Sequence, residues 1–98
     1  MYLVQDKFRC KPGKSSQVAD MFKNSLAPMK SMKGFKNGRV LVDYIASYWT
    51  VMLEFEVEDL AAFEAGMTEF RTHPEMRKAM AGYMDLVEGG NREVYKIL

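Results

Sequence analysis

Apolar and polar residues alternate from Tyr48 to Val57, which predicts a strand with Trp49, Val51, Leu53, Phe55 and Val57 on one face and Tyr48, Thr50, Met52, Glu54 and Glu56 on the other. The first face requires an apolar layer against it. The second is mixed and faces either water or another partly polar surface. A similar run, Tyr2 to Cys10, sets Tyr2, Val4, Asp6, Phe8 and Cys10 opposite Leu3, Gln5, Lys7 and Arg9 and reads as the first strand. Lys11-Pro12-Gly13-Lys14 then turns the chain, because Pro fixes φ and Gly permits a positive one, and Ser15 or Ser16 offers a hydroxyl as a helix cap. Spacing changes to three and four at Val18, Met21, Phe22, Ser25, Met29 and Met32, with Lys14, Gln17, Asp20, Lys23 and Lys30 filling the other side of an amphipathic helix. Pro28 falls inside this pattern. At about 3 kcal/mol for Pro in a helix interior, a kink or break near Ser25 is expected, with Gly34 as the C-terminal cap.

Asn37-Gly38 reads as a turn into a second strand, Arg39 to Ile45, joined by the short link Ala46-Ser47 to the strand at Tyr48, so that the two form an antiparallel hairpin. Glu58-Asp59 places acidic groups at the start of a helix whose stripe is Leu60, Phe63, Met67 and Phe70. Thr72-His73-Pro74 interrupts it, since the residue before Pro is driven out of the helical region. Pro74 opens a further helix with the stripe Met76, Ala79, Met80, Tyr83, Met84 and Val87, which Gly89-Gly90 stops; Glu93 to Leu98 is the last strand. The predicted order is βαββαβ. It describes an α+β, ferredoxin-like fold: a four-stranded antiparallel sheet with both helical crossovers on one face, in a single domain over residues 1–98.

Charge removes several alternatives. With 14 basic and 13 acidic side chains there is no electrostatic footprint for nucleic acid. No apolar run approaches the roughly 20 residues that span a bilayer, and Asp6 and Lys7 stand where a leader would be apolar, so no membrane partner and a cytoplasmic home are expected. The lone Cys10 has no partner for an internal disulfide, which fits a reducing compartment.

Pro12-Gly13 after strand one, the helix closing in Met32-Lys33-Gly34-Phe35, the hairpin ending in Trp49 to Phe55, and Phe63 followed by Thr72-His73-Pro74 together resemble the dimeric α/β-barrel superfamily, most closely its antibiotic-biosynthesis-monooxygenase and NIPSNAP-like branches. The resemblance spans nearly the whole chain. It implies a homodimer whose two sheets pair face to face, and a pocket between sheet and helices in each protomer. Members include cofactor-free monooxygenases acting on quinol-like aromatics, haem-degrading oxygenases, isomerases and proteins of no known activity. The matched places near Met80 and Ala81 carry no His, and Phe63 stands where the haem-degrading relatives have Trp, which speaks against haem degradation. The residues point to a dimer independently: Leu3, Leu41, Ile45, Tyr48 and Met52 lie on the sheet face away from the helices. Lys7 and Arg9 could pair there with Glu54 and Glu56, within the sheet or across a two-fold axis, or be ordinary solvated residues.

Chemistry-bearing residues are few. Asp6 shares a face with Val4 and Phe8, so it points to the helices; it is either a general base raised in pKa by an apolar wall or a carboxylate bonded to backbone or water at the sheet edge. His73 is the only side chain that ordinarily titrates near neutrality, and is either a base or simply the residue that precedes Pro74. Trp49, Phe63 and Tyr83 are candidates to line an aromatic pocket, or belong to the core. Met21, Met29, Met32, Met67, Met76, Met80 and Met84 either fill the core or soften a cavity for a variable apolar ligand. No spaced Cys/His cluster, phosphate-cradling Gly loop or nucleophile elbow is present, so no metal or other cofactor is expected. Two functions stand side by side: a cofactor-free monooxygenase on small aromatics, and a non-catalytic or stress-related dimer that holds a hydrophobic metabolite.

Overall fold

The computed structural model describes residues 1–98 as β1 (Tyr2–Cys10), α1 (Ser15–Ser31), β2 (Lys36–Val42), β3 (Thr50–Val57), α2 (Leu60–Thr72), α3 (Pro74–Ala79), a 3₁₀ turn (Tyr83–Asp85) and β4 (Val87–Lys96). The strands form one antiparallel sheet in the order β2-β3-β1-β4. This is the ferredoxin-like arrangement expected from the βαββαβ order. The alternation in β1 and β3 sets the layer: Val4, Val51, Leu53, Phe55 and Val57 are buried beneath Val18, Phe22 and Met29 of α1 and Met76 of α3.

Four local expectations are corrected by tertiary structure. First, α1 runs unbroken through Pro28. A Pro costs about 3 kcal/mol in a helix interior, whereas burying Val18, Phe22 and Met29 contributes about 1.5–3 kcal/mol each, so packing holds the helix across the missing donor. Second, Asn37-Gly38 lies inside β2 as an irregularity in its pairing with β3, and Asn37 takes the positive φ of 55° that a turn residue would. Strand β2 ends at Val42. The link from Asp43 to Trp49 is longer than a tight hairpin and is closed by the Asp43 carboxylate, which accepts the Thr50 N–H at 2.9 Å. Third, Ile45 and Tyr48 therefore belong to this exposed link rather than to a sheet face. Fourth, the last helical stripe stops at Ala79. Gly82 adopts φ 83°, and residues from Val87 onward pair with β1, so Gly89-Gly90 are strand residues and Met84 is exposed. Pairing along β1 overrides the helical spacing of this segment.

The helix-free face carries polar pairs among its apolar side chains. Glu54 is buried there and accepts from Gln5 Nε2 at 2.8 Å and Arg39 Nε at 2.6 Å, while Lys7 Nζ meets Glu93 Oε1 at 2.8 Å. Lys7 and Arg9 do not pair with Glu54 and Glu56, because the register sets them opposite Met52 and Thr50.

One packing contact yields a direct test. A Cβ on Gly66 of α2 would lie 2.8 Å from Phe35 Cζ, and the Phe35 ring is itself fixed edge-on to Phe55 at 4.8 Å. Gly66→Ala is expected to destabilise the fold by about 1–3 kcal/mol in urea unfolding, although Ala is the better helix former. Trimming the ring with Phe35→Leu in the same chain should recover part of that loss; an unchanged midpoint in Gly66→Ala would contradict the packing.

Candidate functional site

Between the sheet and the helices lies a chamber of about 90 Å³. Its sheet wall comes from alternate residues: Asp6 and Phe8 of β1, Leu53 and Phe55 of β3, and Arg92 of β4. Its roof is Phe22 of α1, Met67 and Phe70 of α2, and Met80 and Tyr83 beyond α3, with Phe35 closing one end. Aromatic rings contact one another around it: Phe8 lies 4.8 Å from Phe22 and meets Tyr83 edge-on at 6.1 Å, and Phe55 stacks with Phe63 at 6.4 Å.

The polar end is an ion pair. The register aligns Asp6 with Arg92, and the guanidinium grips the carboxylate by two bonds, Nε to Oδ1 at 2.5 Å and Nη2 to Oδ2 at 3.0 Å. Such a fork fixes both groups in direction as well as distance. Arg92 also lies over the Phe63 ring, 5.1 Å from its centroid. The bond to Asp6, the charge of that carboxylate and the nearby Tyr83 hold the guanidinium above its ordinary pKa, against the lowering effect of partial burial. Asp6 is 6% exposed, as a residue aimed at the helices should be, but it is not the unpartnered acid that its neighbours in sequence suggested.

Outside the chamber, Asp6, Phe8, Tyr83 and Arg92 also border an open groove of about 310 Å³ that passes over Gly89 and Gly90 beside Met84 and Val87. These four residues form a neck between the narrower apolar chamber and the wider, more open groove.

Of the sequence candidates, Asp6 and Tyr83 meet at this chamber, and Phe63 supports it through Arg92. His73 does not reach it. Its Nδ1 accepts the Glu75 N–H at 3.2 Å, so the ring caps α3 just before Pro74. Trp49 lies outside as well, because β3 begins at Thr50: Trp49 has φ 64°, its carbonyl accepts the Cys10 N–H at 2.7 Å, and its ring is partly exposed. Burial, and to a lesser degree Asp43, pushes the Cys10 thiol up in pKa, the condition of an unreactive cysteine. The residue that sequence reasoning missed is Arg92. Its only sequence signal is its alternation with Val94, which the Gly89-Gly90 pair obscured.

No group of His, Cys, Asp or Glu side chains is placed to hold a metal ion, and no helix is long and apolar enough to cross a membrane. No family model matches the chain, and no curated protein matches it. Solved structures do. A candidate antibiotic biosynthesis monooxygenase from Chloroflexus aurantiacus superposes with a TM-score of 0.75 at 15% identity, covering 99% of this chain and 92% of its own. An uncharacterized NIPSNAP domain protein from Burkholderia xenovorans gives 0.82 at 10% identity, over 100% and 95%. A protein of Agrobacterium tumefaciens gives 0.83 at 13%, over 100% and 94%. The chain thus has the ferredoxin-like α+β fold that antibiotic-biosynthesis-monooxygenase-like and NIPSNAP domain proteins share.

Proposed function

We propose that this protein is a homodimer that holds a small aromatic or hydrophobic molecule in the chamber between its sheet and helices. The observation that supports this reading most is the lining: nine of the eleven residues around the chamber are hydrophobic, and the polar pair Asp6–Arg92 stands at one end. A binding site of this composition takes its affinity from the apolar walls and its orientation from the few polar groups. The chamber is smaller than the roughly 150 Å³ of an apolar cavity known to admit benzene. Met67 and Met80 in its roof are the side chains able to yield to a ring at low cost.

Cofactor-free oxygenation is the second reading, supported by an acidic group set among aromatic rings and by the named likeness of the Chloroflexus protein. It would need Asp6 to accept a phenolic proton, yet both Asp6 oxygens already accept from Arg92. Holding a ligand asks less of these residues.

The test is calorimetric titration with phenols, quinols and their methyl ethers, together with oxygen uptake. Saturable binding of ethers and phenols without oxygen uptake supports the holder, and uptake that disappears in Asp6→Ala supports the oxygenase. No binding by any member rejects the chamber as a ligand site.

The dimer is proposed through the helix-free face, where Leu3, Leu41, Met52 and Tyr95 are incompletely covered. Met52→Arg would bring two unpaired charges into such a two-fold interface. Light scattering is expected to show a dimer for the parent and a monomer for the variant; a variant that keeps the parent mass rejects this surface.

A further inference from the structure

The geometry points to a ligand that carries a carboxylate: a small aryl or alicyclic acid whose ring enters the chamber and whose acid group is held at the neck by Arg92. This rests on the chamber being the ligand site and goes beyond it by naming the group that selects the ligand.

A guanidinium has five N–H donors and no acceptor. Two of them, on Nε and Nη2, are taken by Asp6. The end formed by Nη1 and the second hydrogen of Nη2 has no partner, and it is not sealed off, since the Arg92 side chain is 41% exposed. Asp6 therefore acts as the positioning group: it fixes the plane of the guanidinium, and Phe63 supports that plane from below. The neck consequently presents oriented, charged donors whose spacing suits two coplanar oxygens. A phenol would bring one oxygen and a proton to a carboxylate that is already paired, whereas a carboxylic acid brings two acceptors and no surplus donor at neutral pH. Arg92 borders both spaces, so an acid bound there can keep its ring in the chamber, while any further substituent extends into the groove over Gly89 and Gly90.

Calorimetry with phenylacetate and 3-phenylpropionate, their methyl esters and toluene tests this assignment at pH 7. The parent is expected to bind each acid at least about tenfold more tightly than its ester, the size of one charge-assisted hydrogen bond. Arg92→Met should bring that ratio close to one while leaving ester and toluene binding within a few-fold. Should Arg92→Met fold poorly with Asp6 left unpaired, the double variant Asp6→Asn/Arg92→Met removes both charges and must show the same loss of preference. Equal binding of acid and ester by the parent, or a preference that survives in these variants, overturns the assignment and leaves the apolar chamber standing. Failure of acids, esters and toluene alike to bind overturns the chamber reading, and the carboxylate assignment with it.

Discussion

Gly90→Ala is expected to be the most damaging single-methyl change in this protein. A Cβ at Gly90 would lie 2.0 Å from the Lys7 carbonyl oxygen and 3.1 Å from Phe8 Cα, both backbone atoms of β1. No side-chain rotation relieves a contact with backbone, so β4 must move off β1, and with it Arg92 leaves Asp6. A cost of about 3 kcal/mol or more is expected. For a chain of this length that corresponds to a fall in Tm of roughly 10–25 °C. Gly89→Ala is the control, because nothing lies within 4 Å of a Cβ there and the residue has no positive φ. It should remain within about 0.5 kcal/mol of the parent. Calorimetric melting of both variants decides the matter: if they melt together, the close approach at Gly90 does not constrain the sheet.

Removing Arg92 should cost more than removing Asp6, although the two make the same bonds. Asp6 is buried and Arg92 is not, so Arg92→Met strands a carboxylate away from water, while Asp6→Val leaves a guanidinium that water can still reach. About 2–3 kcal/mol is expected for Arg92→Met, and about 1 kcal/mol or less for Asp6→Val, whose β-branched side chain also suits a strand. The double variant should lie close to the parent, since a buried pair replaced by apolar groups loses its desolvation cost together with its attraction. Urea unfolding of the four proteins gives the cycle. Equal losses in the two single variants would show that Asp6 is not isolated from solvent when its partner is gone.

The neck of the chamber depends on strand register, and register explains what sequence reading could and could not reach. Asp6 was legible: the alternation Val4, Asp6, Phe8 places it on the buried face, and it is there. Its partner was not. Arg92 lies far away in the chain and reaches Asp6 only because β4 pairs with β1 from Val87 onward, just past a stretch whose Met80, Tyr83, Met84 and Val87 satisfy helical spacing. Spacing alone carries the helical reading of that stretch past Ala79, whereas the left-handed turn at Gly82 and the ladder with β1 end it. His73 and Trp49 show the opposite limit. Each has chemistry to offer and a place at the end of an element, but His73 spends its ring nitrogen on a backbone amide, and the left-handed backbone at Trp49 takes the residue out of the strand alternation.

By itself the sequence determined the order of elements, the inward faces of β1 and β3, the stripe of α1, and the interruption at His73-Pro74, because each depends on period or proline geometry within a few residues. Tertiary structure alone decided that α1 survives Pro28, that β4 begins at Val87, and that Asp6 meets Arg92 at the mouth of an aromatic chamber. Those outcomes turn on packing energies and on pairing between strands far apart in the chain, which local patterns do not contain.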